Sequence, residues 1–285
     1  MKQSIVAEQL SAVRSFNGWQ KVFAIKSEEL KCTTKFGVYL PDGYETRQSH
    51  VLFFLSGLTC TEDNFIAKSG FQKYASKHQV IVVNPDTSPR GVKVEGDDDC
   101  WDFGIGAGFY LDATTPKWKT NYRMYSYIIN ELVPFTKTQF NVIDGFGIFG
   151  HSMGGHGAIT IGLKNPAIFK SISAFAAICH PQGCDWGKKA LLGYLGPDKS
   201  SHDNYDAYEL AKLYQGPKIK ILLDQGSGDN FYSQKQLLPE KLVEEVNNPN
   251  IEIDFRFRED YNHSYFYIAS FIEEHFDFHL SILKQ

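Results

Sequence analysis

The stretch that decides the fold is DGFGIFGHSMGGHGA, residues 144–158, because it holds two signatures that share one glycine. Gly145-Phe-Gly147-Ile-Phe-Gly150 matches G-x-G-x-x-G, the turn that cradles a dinucleotide pyrophosphate, and Gly150-His-Ser152-Met-Gly154 matches G-x-S-x-G, a nucleophile elbow. The first would make a cofactor-dependent hydride-transfer enzyme, the second an acyl hydrolase. A dinucleotide turn must follow a strand, and an acidic residue for the ribose must stand about 20 positions on, at the end of the next strand. Here the glycines lie inside the apolar run itself. The next such run ends Ala177-Ile178-Cys179-His180 without a carboxylate, and the nearest acid is Asp185. An elbow needs a strand, a sharp turn at serine and then a helix. GFGIFG supplies the strand and MGGHGA the helix start, and glycines at 150 and 154 let the chain pack around a strained serine. The stretch reads as an elbow.

Outward from it, apolar runs alternate with helix-length segments. Strands are expected at 35–41, 51–57, 79–86, 171–179, 218–226 and 251–259. Helices are expected near 62–78, 122–140, 239–246 and 264–283, besides the one after Ser152. Near-continuous apolar strands separated by helices predict an α/β fold, a mostly parallel sheet covered on both faces. No repeat or linker interrupts the 285 residues, so one domain spanning 1–285 is expected. Two loop-rich insertions, 87–121 and 180–205, are too long for simple connections and are expected to shape a site.

Composition narrows the function. A net charge of −4 with interleaved signs argues against a nucleic-acid partner, and Asp97-Asp98-Asp99 reads as a solvated loop rather than a metal site. The N-terminus lacks an apolar leader core, and no apolar run is long enough to span a membrane. The five cysteines are scattered, with no C-x-x-C pair, as in a cytoplasmic protein with reduced thiols. No cofactor and no metal are expected.

A serine nucleophile needs a histidine base oriented by a carboxylate, and in an elbow fold these follow in the order Ser, Asp or Glu, His. Of nine histidines, His263 follows a strand and precedes a helix in the right order. Asp229, in the loop after strand 218–226, is favoured as the acid over Asp224, which the strand constrains. The oxyanion donors should be the backbone N–H groups of Met153, directly after the serine, and of Leu58, after the turn at Gly57.

The segments LSGLTCTEDNFIAKSGFQKYA, DTSPRG, WDFGIGAGFYLDAT, GHSMGGHGA, GYLG, LLDQGSGDNF and YNHSYFYIASFI resemble the S-formylglutathione hydrolase, or esterase D, family from about Lys35 onward. The resemblance implies a cytoplasmic, often dimeric serine hydrolase of the α/β-hydrolase fold. It would release formate and glutathione from S-formylglutathione in formaldehyde detoxification, and cleave short-chain acyl esters. It also implies Ser152, Asp229 and His263 as the triad, Leu58 and Met153 as oxyanion donors, and Cys60 as a site-proximal thiol whose modification suppresses activity. A tight acyl pocket is expected near Trp101 and Trp186. One departure is His180-Pro181, where the family pattern has Asn-Pro, in a segment expected to border the substrate cavity. The alternatives are a general short-chain carboxylesterase and, more distantly, a non-catalytic binding protein on a hydrolase scaffold.

Overall fold

A computed structural model describes residues 6–285; residues 1–5 lie outside the described residues. Among the described residues nine strands make one sheet: β1 (Ala7–Arg14), β2 (Gly18–Ser27), β3 (Cys32–Pro41), β4 (Val51–Leu55), β5 (Ile81–Pro85), β6 (Phe146–His151), β7 (Phe169–Phe175), β8 (Ile219–Gly226) and β9 (Ile251–Arg258). Their order is β1-β2-β3-β5-β4-β6-β7-β8-β9. The six strands from β5 to β9 run parallel, and β1, β2 and β3 add an antiparallel meander on one edge. This is the α/β-hydrolase architecture, mostly parallel as expected.

Strand alternation explains the layers. On β7, Ser171, Ser173 and Phe175 meet the last helix, Tyr265–Leu283, through His279 and His275. Ile172 and Ala174, between them, pack on Gly162 and Gly155 of the elbow helix, Met153–Lys164. The two helices therefore cover opposite faces. The central strands are buried at every position of β4, β5 and β6, each large apolar side chain there contributing roughly 1.5–3 kcal/mol relative to exposure. β6 pairs with β4 on one side and β7 on the other, with Gly147 opposite both Leu52 and Ser171. The G-x-G-x-x-G glycines lie largely within a central strand, where no phosphate could reach them.

Some expected boundaries shift. Segment 62–78 forms two helices, Glu62–Lys68 and Gln72–His78, because Gly70 takes a φ of +67° between them. The run 171–179 leaves the sheet after Phe175. Strands β1 and β2 were not expected: β1 is exposed along almost its whole length and has no apolar period to reveal it. Segment 180–205 holds two helices rather than a loop, Asp185–Leu195 capped by Cys184 and Lys199–Asp203 capped by Asp198. In the acidic run, Asp98 and Asp99 are solvated as expected, but Asp97 is buried and its carbonyl accepts the Ile105 N–H.

Candidate active site

Ser152 stands between β6 and the elbow helix with φ +59° and ψ −121°, a left-handed conformation that a non-glycine residue adopts only when its surroundings enforce it. The enforcement is visible. The Ser152 N–H bonds to the Phe175 carbonyl at 2.9 Å, tying the turn to β7. A Cβ on Gly150 would lie 2.2 Å from the Gly154 oxygen, and one on Gly154 would lie 2.0 Å from the Leu55 oxygen. Both positions require glycine for close approach.

Beyond the carboxyl ends of the parallel strands, Ser152 lines a cavity of about 300 Å³ together with His263, Leu58, Cys60, Trp101 and Trp186. His263 arrives from the loop between β9 and the last helix. Its Nδ1 lies 2.6 Å from Asp229 Oδ2. The other Asp229 oxygen accepts the N–H groups of Phe231 and Tyr232, capping the short helix Asn230–Ser233. Burial would raise this carboxyl, but the His263 contact and the two backbone donors more than offset it, so Asp229 is held below the usual aspartate range and ionised. No hydrogen bond joins Ser152 Oγ to His263 among the described residues; such contacts often close only when substrate is bound.

The N–H groups of Leu58 and Met153 donate to no acceptor among the described residues. The loop carrying Leu58 is fixed from outside. Thr59 N–H bonds to the Gly106 carbonyl at 2.9 Å, Tyr110 donates its hydroxyl to the Ser56 carbonyl, and Arg90 and Thr87 both donate to the Cys60 carbonyl. Arg90 is itself held by a two-pronged ion pair with Asp86. Insertion 87–121 thus buttresses the Leu58 loop and also supplies Trp101.

Trp186, Phe231 and His263 form a chain of edge-on rings, with centroids 4.7 and 4.8 Å apart, and Trp101 meets Trp186 at 5.4 Å. Trp186 is buried while Trp101 is half exposed at the rim. Burial pushes the Cys60 thiol above its ordinary range. His180 does not line the cavity: its Nδ1 sits 2.9 Å from Asp206, which also caps the helix Ala207–Leu213. The segment expected to border the cavity does so only through Trp186.

Several cavity residues were not singled out from the sequence. Phe231 directly follows the capped turn at Asp229, and Tyr265 lies two residues beyond His263. His151, before the nucleophile, is buried with its ring centroid 4.4 Å from that of His263, and burial keeps it neutral by depressing its pKa far below the ordinary value. Asn64 and Lys68 reach the cavity from the helix after the Leu58 loop. Only proximity in sequence to the triad positions could have pointed to the first three. Among the described residues no cluster of three metal-ligating side chains is found, and no helix is long and apolar enough to cross a membrane.

The chain is similar to known hydrolases over nearly its full length. A family described as putative esterase matches residues 27–278. An S-formylglutathione hydrolase from Bos taurus is 52% identical over 278 residues, covering 97% of this chain and 99% of its own. One from Arabidopsis thaliana is 46% identical over 279 residues, covering 97% and 98%. The solved structure of an S-formylglutathione hydrolase from Agrobacterium tumefaciens superposes with a TM-score of 0.93 at 42% identity, covering 97% of this chain and 99% of that one.

Proposed function

Because the chain belongs to the S-formylglutathione hydrolase (esterase D) family of thioester hydrolases, we propose that it cleaves S-formylglutathione to formate and glutathione, and short acyl esters as well, through an acyl-serine on Ser152. The observation that carries this is the 2.6 Å Asp229–His263 pair opening into the same cavity as a serine held at φ +59°.

In the first half-reaction Ser152 Oγ attacks the thioester carbonyl while His263 Nε2 takes the hydroxyl proton. Asp229 accepts the Nδ1–H, which fixes the tautomer that leaves Nε2 free as a base and stabilises the imidazolium that forms. The developing oxyanion is received by the N–H groups of Leu58 and Met153, each such donor being worth roughly 10²–10³ in rate. Collapse breaks the C–S bond and releases glutathione as a thiolate, which takes the proton from the His263 imidazolium and so leaves His263 neutral for the second half-reaction. In the second half-reaction His263 deprotonates a water that attacks the formyl-serine. Collapse of that intermediate returns the proton to Ser152 and frees formate.

The aromatic wall of Trp186, Trp101 and Phe231 leaves room for a small acyl group and disfavours a bulky one. Cys60 serves as a cavity wall, so its modification would obstruct the leaving group. Steady-state kinetics on S-formylglutathione and on a short aryl ester test the assignment. A kcat/KM at least tenfold higher for the thioester is expected. A clear preference for the ester would make the protein a general carboxylesterase, and no turnover of either would leave a binding protein.

A further inference from the structure

Asn64 and Lys68 stand four residues apart on the helix Glu62–Lys68, hence on one face, and both line the cavity. Asn64 is oriented by the helix cap: its Oδ1 accepts the Thr61 N–H at 2.8 Å, which leaves the Nδ2 donors without a protein acceptor among the described residues. Lys68 makes no ion pair among the described residues, and its Nζ sits 5.9 Å from the ring centroid of Tyr265, another wall of the cavity. No aspartate or glutamate lines that cavity among the described residues. An unpaired ammonium and an unused amide, one helical turn apart on a wall of the nucleophile's cavity, offer donors for an anion with two oxygens.

We propose that Asn64 and Lys68 bind a carboxylate of the leaving group, and so select acyl thioesters of an anionic thiol over neutral acyl compounds. The inference rests on the thioesterase function proposed above and names the part of the substrate that the acyl pocket cannot read. A formyl group offers almost no surface to distinguish one substrate from another. Discrimination therefore has to come from the thiol, and a glutathionyl thiol carries two carboxylates and one ammonium. The contact precedes C–S cleavage and ends when the thiol departs. It acts on acylation alone, because every formyl donor leaves the same formyl-serine.

The test compares S-formylglutathione with its analogue in which both carboxylates are carboxamides, at low ionic strength, by kcat/KM. In the wild type the charged substrate is expected to be favoured about tenfold, with the difference in KM. Lys68→Met should bring the ratio of the two kcat/KM values close to one, Lys68→Arg should retain most of it, and Lys68→Glu should invert it. Added salt should raise the wild-type KM for the charged substrate and leave that of the carboxamide nearly constant. A wild-type ratio near one, or a ratio that Lys68→Met does not change, overturns the proposal. Equal losses on both substrates overturn it too, since they make Lys68 a general wall residue. If the wild type hydrolyses neither thioester, the thioesterase function fails instead, and the same ratio measured on aryl acetates with and without a ring carboxylate still decides whether Lys68 reads charge.

Discussion

Among the described residues two serine–histidine–aspartate arrays, built from neighbouring parts of the same sheet, stand in very different surroundings. At the cavity, Ser152, His263 and Asp229 stand on three loops at the carboxyl ends of β6, β9 and β8. In the core, Ser173 Oγ lies 2.8 Å from His275 Nδ1, and His275 Nε2 lies 3.8 Å from Asp224. That second array continues through His279 to Ser171, at 2.9 and 2.6 Å. Its residue types match those of the first, yet its serine lies in a regular strand and its side chains are fully buried. Asp224 is saturated by Arg258 and by the Tyr267 hydroxyl at 2.7 Å, which tie β8 to β9 and to the last helix. The difference teaches that composition does not make a site. The cavity array adds a left-handed serine, unspent backbone donors and an opening for substrate; the core array links β7 to the last helix through buried hydrogen bonds and holds the layers together.

The comparison is broken most directly at the two aspartates. Asp229→Asn should lower kcat about 10⁴-fold through the wrong His263 tautomer, with little loss of stability. Asp224→Asn should leave kcat within tenfold of wild type and lower unfolding stability by about 3 kcal/mol, because Arg258 loses its buried partner. Activity assays beside urea denaturation read both, and the opposite pattern would move the acid to Asp224.

A smaller effect sharpens the contrast through pH. Burial depresses the pKa of His275 and His279 in the core, and that of His156 to about 4. Each is neutral in the folded state, whereas a histidine of the unfolded chain titrates near 6.5. As pH falls below that value the unfolded chain binds more protons, so stability is present above about 6.5 and is lost progressively toward 4. His156 alone accounts for about 3 kcal/mol of that loss. Urea midpoints at pH 7.5, 6 and 5 should therefore decline steadily. A midpoint independent of pH over that range would mean the core histidines are not sealed as described.

Much of this was legible in the sequence, for local reasons. The elbow announces itself because a strained serine demands glycines at fixed offsets, and chain order then leaves one plausible histidine. Asp229 could be preferred over Asp224 because a loop carboxylate can reach a loop histidine. What stayed hidden depends on register or on long-range packing. Strand β1 carries no apolar period, and the Ser171–His279–Ser173–His275 chain exists only because β7 alternation meets the pitch of a helix a hundred residues later. His180 looked like a cavity residue, but Asp206, distant in sequence, draws it away. Asn64 and Lys68 carry no motif in the sequence, and only the fold brings them to the wall of the cavity that holds Ser152.

Ser152, and not the chemically similar Ser173, is the proposed nucleophile. Labelling with a fluorophosphonate, read by peptide mass and by residual thioesterase activity, tests it most directly. The wild type and Ser173→Ala should each take up one equivalent at Ser152 and lose activity in step, while Ser152→Ala should take up none and be inactive before labelling. Labelling at another serine, or thioesterase activity that survives in Ser152→Ala, would contradict the account.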